Sequence, residues 1–575
     1  MNLHMEQFGL KPGEDSDATL PVLLALEACR ELTEVTLSFP PGTYSFRPDN
    51  MVERQLYITN HDQGGTRRIA FPLQGHRRLT IDGAGSEFRF EGPMIPFVLD
   101  QTHGVTLRDF TIDWDRPMYE QGTVIESDEA SFVVQLQADV PYSVADGRVR
   151  FWFGGRLEPV WGLHDIDPES KAHVYQSGDR ISWGAFAELW VEEAGEGRIR
   201  ICGGPRHRPK VGSLIAMRFG RRENPGIFVT GGSDVRVERV TVHHAPGMGL
   251  VAQRCTDIRL HMFRVALRPS SERIVTATAD AAHFTNCRGR ITLEHCLFEN
   301  QLDDPLNVHG IYTRVAERLS DDTLLVRLMH EMTIGVEVAV PGDVMQVVDS
   351  ETLLGKASAT VREAVALSAR ETLLRFAEPL PASVQPGDSV ENRTWNADLT
   401  VRYCTVRANR ARGLLITTPG KVLVEFCRIS APGAGIKLSG DARSWYESGA
   451  VEDVTIRRNT FGACNYCHPD WGQAVIDIDP EIEPQHRRDG YYHRRIVIED
   501  NRFDTFGGAI VYGHSVDGFV FRYNRIRRSA AYPWHEDTAR PLLELTDIGD
   551  AEIGGNECPA DRPYGRVRGE LVSLE

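Results

Sequence analysis

The sequence predicts an all-β protein that folds as a right-handed parallel β-helix and carries two inserted β-barrel-like domains. Segments that alternate apolar and polar residues recur about every 23 residues, and a second series of short apolar segments lies between them. Two long stretches interrupt this recurrence. One coil of short strands cannot bury its own apolar face, whereas stacked coils share a continuous core.

The first series of segments sets the period of the predicted solenoid. Three pairs of equivalent positions are each 23 residues apart: Val235 and Ile258, Leu399 and Val422, Ile496 and Phe519. The longer interval from Ile258 to Ile291 fits one coil with a loop inserted. Equivalent strands of neighbouring coils are therefore expected about 4.8 Å apart.

The second series predicts another sheet of the same solenoid. Its members are GLVAQRC (249–255), AHFTNC (282–287), PLNVHG (305–310), GLLITTPG (413–420), GIKLSG (435–440), AVIDIDP (474–480) and AIVYGHS (509–515). Ala282 and Pro305 are 23 residues apart, so we expect them to be level on consecutive coils.

These patterns divide the chain into five parts. Residues 1–115 are predicted to hold a capping helix at about 19–33 and the first coils, and residues 226–312 and 394–575 to hold the later coils. The interruptions at 116–225 and 313–393 read as short antiparallel strands with Pro- and Gly-rich turns. We interpret both as β-barrel-like domains inserted at loop positions.

Composition excludes several classes of partner. The formal net charge of −17 argues against nucleic acid and anionic membranes, and no run of 18 apolar residues predicts a membrane span. The N-terminus lacks the apolar region of a signal peptide, so we expect a protein that stays in the cell or one whose signal was removed. Ten cysteines are too few for a disulfide scaffold, and Cys464 and Cys467 are expected to be buried small residues.

An acidic cluster is predicted where QLDDPLNVHG (301–310) follows TATADAAHF one coil later. Stacking the two segments brings Asp280 close to Asp303 and Asp304. Asn307 can share the outward face, and His283 and His309 flank the cluster. Two alternatives stay open: the adjacent aspartates could cap a turn, and His283 could point into the core.

Clustered carboxyls on the outside of a solenoid suit the cleavage of glycosidic bonds. One carboxyl is kept protonated as the general acid while another is ionised as base or nucleophile, and their mutual repulsion holds the two pKa values apart. Spacing alone leaves the stereochemistry of the reaction open. The two carboxyls are about 5–5.5 Å apart in retaining enzymes, which one coil rise fits, and about 6.5–9.5 Å apart in inverting enzymes, which only splayed side chains or a diagonal pair reach.

Further residues are candidates for sugar binding. Lys437 occupies an outward position on the ladder, and Trp445 and Trp471 lie in long loops where they either stack on a sugar or pack the loops onto the solenoid. Asp477 and Asp479 share one face and either line the substrate pocket or bind calcium. Asp113 and Asp115 have the same spacing, and Arg412 and Arg443 are weaker candidates for binding sugar hydroxyls.

FENQLDDPLNVHG, with TATADAAHF one coil upstream, resembles glycoside hydrolase family 110, the α-1,3-galactosidases that include enzymes cleaving the blood group B antigen. The resemblance implies a β-helix with inserted barrels and an exo-acting enzyme that inverts configuration without a cofactor or a metal. It implies that Asp280, Asp303 and Asp304 are the catalytic aspartates. The implied partner is a galactose-terminated oligosaccharide or glycoconjugate.

Two other functions remain alternatives at this stage. One is a polygalacturonase-like hydrolase or lyase, whose acidic substrate calls for a basic cluster, whereas this sequence shows only Lys437 and scattered arginines. The other is a non-catalytic glycan-binding solenoid, which has no need of three clustered acids. Stacked-repeat enzymes often associate through a solenoid face, so a homo-oligomer is one expectation.

Overall fold

The computed structural model describes residues 1–13, 16–533, 540–559, 565–567 and 570–572, and it forms the predicted parallel β-helix. The predicted period is confirmed by the strand register. Val235 pairs in parallel with Ile258, and the two later pairs of equivalent positions are also in register. Ile258 pairs onward with Ile291, so the longer interval is indeed a single coil.

Some strands of the solenoid continue through a bend in the chain, and others end at it. Two ladders adjoin at this bend. Their strands are Asn2–His4, Val35–Ser38, Thr43–Phe46, Leu79–Phe90, Thr106–Trp114, Ser233–Val242, Thr256–His261, Arg264–Val265, Arg288–Glu294, Leu297–Glu299, Ala397–Arg402, Thr405–Arg407, Lys421–Glu425, Arg428–Ile429, Asp453–Arg457, Thr460–Gly462, His493–Glu499, Arg502–Thr505, Ala509–Arg522, Arg525–Arg528 and Ala551–Gly554.

A third ladder runs along the other side of the solenoid, and the long strand Ala509–Arg522 joins this ladder to the first one. Its remaining strands are Val52–Gln55, Thr66–Gln74, Ile95–Asp100, Ile227–Thr230, Leu250–Gln253, Ala282–Thr285, Leu306–Ile311, Leu414–Thr417, Ile436–Leu438, Ala474–Ile478, Leu543–Ile548, Gly565–Val567 and Glu570–Val572, and Glu447–Ser448 pairs antiparallel with one of them. Short 3₁₀ helices lie at Met5–Phe8, Pro48–Asn50, Glu331–Thr333 and Pro484–Asp489.

Alternation along each strand builds one apolar core inside the coils. In Ser233–Val242, Val235 and Val237 are fully buried while Arg236 between them is exposed. The N-terminal helix Thr19–Cys29 covers the first coil with Val22 and Leu26, which belong to the same core. It occupies the predicted place but ends at Cys29, since the chain then turns into Val35–Ser38.

The bend between the first two ladders repeats one local structure. A non-glycine residue in the left-handed region (φ between 55° and 57°) precedes a buried Cys or Asn in successive coils. The Asn side chains stack: Asn501 donates to the Ile456 and Glu499 carbonyls and accepts from the Asn459 N–H. This stack satisfies backbone groups that the bend removes from the strand ladders.

Two antiparallel domains leave the solenoid. The first is an eight-stranded, nearly closed sheet with helix Trp183–Ala187; its strands are Tyr119–Ser127, Ser131–Leu136, Tyr142–Ala145, Arg148–Phe153, Arg156–Ile166, Trp190–Glu193, Arg198–Cys202 and Leu214–Phe219. The second is a closed six-stranded barrel made of Thr313–Arg318, Thr323–Leu328, Val344–Val348, Gly355–Ala366, Glu371–Phe376 and Ser389–Asn392. Each has its own apolar core, and the second barrel begins directly after Leu306–Ile311.

All ten cysteines are free, and Cys464 and Cys467 are buried as expected. Among the described residues, no helix combines the length and the apolar character that crossing a bilayer requires.

Replacing Asn501 with Ala should destabilise the C-terminal coils by about 2–4 kcal/mol, because several buried backbone groups would lose their partner. Thermal unfolding followed by circular dichroism measures the effect. Asn556→Ala, at the half-buried end of the same stack, is the matched control and should cost less. Equal melting temperatures for wild type and Asn501→Ala would contradict this role of the stack.

Candidate active site

The predicted acidic cluster lies at the turn that enters the third ladder. Ala282 pairs with Leu306, so the expected pairing with Pro305 is wrong by one residue. Pro305 ends the turn and offers only its carbonyl, which accepts from the Ala282 N–H at 3.1 Å. The turn around the aspartates therefore holds one more residue than the period predicts, and Asp280 lies level with Asp304.

A third coil completes this row. Leu306 pairs with Leu414, which brings Arg412 level with Asp304. Asp280, Asp304 and Arg412 are consequently aligned on three consecutive coils of the third ladder. The second barrel is inserted between the last two coils, so the chain separates Asp304 from Arg412 by 108 residues although they are neighbours in space.

A parallel row, two to three residues further along the strands, forms the floor of the site. His283 is level with Asn307, and Lys437 follows in the same row two coils later. Phe284 and Val308 point into the apolar core, so the alternating residues face outward. The alternative in which His283 is a core residue is therefore wrong.

Asp303 lies between two guanidinium groups. Arg222 contacts its Oδ2 at 3.0 Å and Arg410 its Oδ1 at 3.1 Å. Burial would raise the pKa of Asp303, but the positive charges of Arg410, Arg222 and Arg218 outweigh burial and lower it. Asp303 is thus held in the ionised form.

Within the described part of the chain, Arg412 is the one residue that binds the Asp304 carboxyl. The Arg412 backbone N–H donates to Oδ1 at 2.9 Å, and its guanidinium donates to Oδ2 at 2.6 Å. Burial raises the pKa of Asp304, Arg412 opposes it, and the charges of Asp303 and Asp280 raise it further, to about 7. The alternative that this pair merely caps a turn does not account for these contacts with arginines from distant parts of the chain.

Asp280 contacts a histidine instead of an arginine. Its Oδ2 lies 2.7 Å from His283 Nδ1, and His283 Nε2 lies 2.8 Å from His309 Nε2. His309 Nδ1 lies 2.6 Å from the Gly310 carbonyl oxygen. A carbonyl only accepts, so His309 Nδ1 must carry a hydrogen.

The chain of hydrogen bonds runs from Asp280 to this carbonyl. Burial and the charge of Asp303 raise the pKa of Asp280 to about 8, so Asp280 holds a proton at neutral pH and donates to His283 Nδ1. Burial lowers the pKa of His283 well below its ordinary value, so its ring is neutral and its one hydrogen is on Nε2. His283 then donates to His309 Nε2, which agrees with a hydrogen on His309 Nδ1 facing the carbonyl.

Asn307 and His309 both contact Glu447, which was not among the candidates predicted from the sequence. Asn307 Nδ2 donates to Glu447 Oε1 at 3.2 Å, and His309 Nε2 lies 3.5 Å from the same oxygen. Asn307 Oδ1 has no partner among the described residues. Asn307 lines the cavity, whereas His309 lies behind His283 and does not.

Lys437 lines the cavity, and Asp477 lies behind it. The Lys437 ammonium is 3.4 Å from Asp477 Oδ2 and 3.5 Å from Asp479 Oδ2. A lysine ammonium therefore lies where the calcium alternative needs an ion. Asp477 positions Lys437 and does not itself reach the substrate cavity.

The two loop tryptophans differ. Trp471 is only 6% exposed, donates from Nε1 to Asp179 at 3.1 Å and lies beneath the Arg410 guanidinium, so it mainly supports that arginine. Trp445 is 41% exposed and packs on His330 with ring centroids 4.4 Å apart. Trp445 therefore offers a free ring face at the cavity.

These side chains enclose a cavity of about 290 Å³. Six carboxylic acids and four basic groups line it: Asp280, Asp303, Asp304, Asp441, Glu447 and Glu481, with Arg222, Arg410, Arg412 and Lys437. The expectation that the arginines are scattered is wrong, because the fold gathers three of them here. Burial raises the pKa of Asp280 to about 8 and those of Asp304 and Glu481 to about 7, so the charges of the acids and of the four bases are close to balanced. Such a cavity suits a neutral polar ligand better than a polyanion.

Comparison with known proteins identifies the family. The chain is 33% identical to α-1,3-galactosidase B of Bacteroides thetaiotaomicron, over 100% of this chain and 92% of that protein. It is 38% identical to α-1,3-galactosidase B of Bacteroides fragilis, over 95% of each. The chain belongs to the α-1,3-galactosidases of glycoside hydrolase family 110.

Two family models and one solved structure accompany these relatives. Residues 120–215 match GLAA-B beta-barrel domain I, and residues 323–390 match GLAA-B beta-barrel domain II. Among solved structures, the Agl-KA catalytic domain is 11% identical with a TM-score of 0.43, covering 100% of this chain and 68% of that one.

Several site residues of this α-1,3-galactosidase family member were not among the candidates drawn from the sequence. Arg410 follows the second barrel, and Arg222 follows the last strand of the first, so neither shows the coil period. Arg412 was noted only as a minor candidate; removing the second barrel from the count would have aligned it with Asp304. Glu447 and Asp441 lie in a loop without a periodic signal.

A neutron structure at a pH of about 7 should locate deuterium on Asp280 Oδ2, His283 Nε2 and His309 Nδ1. This pattern follows from the raised pKa of Asp280 at one end of the chain of hydrogen bonds and from the Gly310 carbonyl, which can only accept, at the other. Deuterium on both ring nitrogens of His309, together with an unprotonated Asp280, would contradict it. The buried His493, which is in a different coil, serves as an internal control for neutral imidazole.

Proposed function

We propose that the protein is an exo-acting α-1,3-galactosidase that releases terminal α-1,3-linked galactose from oligosaccharides, of blood group B type or linear Galα1-3Gal, with inversion of configuration. The opposed electrostatic environments of Asp280 and Asp303 in one cavity carry this proposal. The names of the relatives support the substrate. A galactose-terminated glycan is accordingly the proposed partner.

Asp280 is the proposed general acid. It holds a proton at neutral pH, and rotation about its Cβ–Cγ bond presents that proton to the cavity instead of to His283. The proton passes to the glycosidic oxygen as the bond from that oxygen to C1 of galactose breaks. Arg222 and Arg412 are near enough to stabilise the carboxylate that remains.

Asp303 is the proposed general base. It is ionised by its arginines and accepts a proton from the water whose oxygen forms the new bond to C1. The products are β-galactose and the shortened glycan, and a proton returns from Asp303 to Asp280 through solvent. Asp304 binds Arg412 and so holds that guanidinium close to Asp280 and Asp303.

The walls of the cavity support exo-action, in which the enzyme cleaves the sugar at the end of a glycan chain. The first barrel contributes Trp183, and the loop that contains Asp441 and Trp445 closes another side. Asn307 Oδ1, Lys437 and Glu481 are left to meet sugar hydroxyls. A cavity whose four bases are balanced by its acids lacks the excess positive charge that a uronate calls for. A purely glycan-binding solenoid has no use for a carboxyl that stays protonated.

Proton NMR of released galactose tests the reaction and its stereochemistry together. Incubation with Galα1-3Gal and with a B trisaccharide should give β-galactose first, followed by slow mutarotation. First appearance of α-galactose would contradict inversion, and release only from other α-galactosides or from uronates would contradict the substrate.

Substitution separates the acid from the base. Asp280→Asn and Asp303→Asn should each lower kcat on Galα1-3Gal by about two to four orders of magnitude, and Asp304→Asn by a similar amount. On α-galactosyl fluoride, whose leaving group needs no protonation, Asp280→Asn should recover most of its loss and Asp303→Asn should not. Asp500→Asn, at an exposed bend, is the matched control. The reverse pattern on the fluoride would exchange the two roles.

The pH profile of kcat/KM should reflect the ionisation of the same two carboxyls, Asp280 and Asp303. The acid works only when protonated, so activity should fall as pH rises through about 8, the raised pKa of Asp280. The base works only when ionised, and its lowered pKa places the acidic limb below the ordinary aspartate range. A basic limb that is unchanged when α-galactosyl fluoride replaces the disaccharide would contradict the assignment of Asp280.

A further inference from the structure

A second cavity, of about 450 Å³, adjoins the catalytic one and lies between the two inserted domains. Trp161, Trp183 and Gly220 from the first domain face Met332 from the second across it. Trp183 and Arg222 line both cavities, so the two spaces share a wall. Clefts between domains that continue from a catalytic pocket are common places for the remainder of a substrate.

The floor of this second cavity is an aromatic shelf. Trp183 is 47% exposed and rests on Trp161 with ring centroids 4.4 Å apart. The buried Arg218 guanidinium lies 4.2 Å from the centroid of Trp161 and 5.7 Å from that of Trp183, and it donates to the Leu302 carbonyl at 3.3 Å. This stack connects the shelf to the segment that carries Asp303, so the shelf and the catalytic carboxyls hold a fixed relation.

The backbone of Trp183 supports a binding role. Its φ is 53°, in the left-handed region that a bulky side chain rarely adopts. Such strained backbone conformations persist only where the surrounding structure maintains them, and they are concentrated at functional sites. Here the conformation starts helix Trp183–Ala187 and directs the indole out of the first domain, toward the Arg410 guanidinium 5.9 Å away.

From this geometry we propose that the Trp161–Trp183 shelf is the subsite for the sugar on the leaving-group side of the scissile bond. The exposed indole face matches the apolar C–H face of a pyranose. Arg221, Arg222 and Asp62 at the margins match its hydroxyls. The inference rests on the proposed galactosidase function and adds where its second sugar binds. A remote sugar held here contributes binding energy to cleavage at Asp280 and Asp303.

Two substrates with different leaving groups test the shelf. Trp183→Ala should reduce kcat/KM for Galα1-3Gal at least about tenfold more than kcat/KM for α-galactosyl fluoride, whose leaving group is too small to reach the shelf. Trp183→Phe should restore part of the difference. Trp190→Ala is the matched control: it lies in the same domain, is equally exposed at 47%, lines neither cavity, and should leave both rates unchanged.

The alternative outcomes are distinct. Equal losses on both substrates, or no loss on either, would overturn the subsite, as would a loss confined to 4-nitrophenyl α-galactoside, whose leaving group is apolar. Wild-type protein that hydrolyses none of the substrates would overturn the galactosidase function itself, and the subsite with it. Circular dichroism of Trp183→Ala and of Trp183→Phe confirms that a selective loss is measured on folded protein.

Discussion

Three carboxylic acids share one buried cavity, and the other side chains of the site are arranged to offset the repulsion among them. Ionising all three without partners would cost several kcal/mol for each charge. The structure gives each a different partner: two guanidiniums for Asp303, one for Asp304 and a neutral histidine for Asp280. This asymmetry, more than the number of acids, separates a proton donor from a proton acceptor.

The inserted domains supply much of that asymmetry. Arg222 follows the last strand of the first domain, and Arg410 lies in the first coil after the second. Arg410 also pairs with Asp179 of the first domain, which in turn binds Trp471 from a solenoid loop. The barrels therefore wall the cavity and also hold the cations that keep Asp303 ionised, so their folding and the chemistry of the site are coupled.

The sequence predicted the features that recur with the coil period, and it missed site residues whose position depends on the insertions. The strand ladders, the two inserted domains and the proximity of Asp280, Asp303 and Asp304 all follow from spacing and local pattern. The exact register of Asp280 does not, because one extra residue in a turn changes neither composition nor alternation. Arg412 was only a weaker candidate because the inserted barrel hides its alignment with Asp304. Glu447 was missed because its short antiparallel strand lies outside the repeat, and no local pattern marks a long-range ion pair.

The geometry of a parallel ladder also limits which carboxyls can act as a pair. Asp280 and Asp304 are level on adjacent coils, and such strands lie about 4.8 Å apart, close to the retaining separation and short of the inverting one. Asp303 is one residue earlier, where the chain direction points its side chain toward Arg222 and Arg410 instead of Arg412. An inverting reaction, which needs room for a water between acid and base, therefore favours the diagonal pair of Asp280 and Asp303. This diagonal pair also has opposed pKa shifts. The pKa of Asp304 is raised as well, but the Arg412 guanidinium binds its carboxyl, so spacing and hydrogen bonding together favour Asp280 as the partner of Asp303.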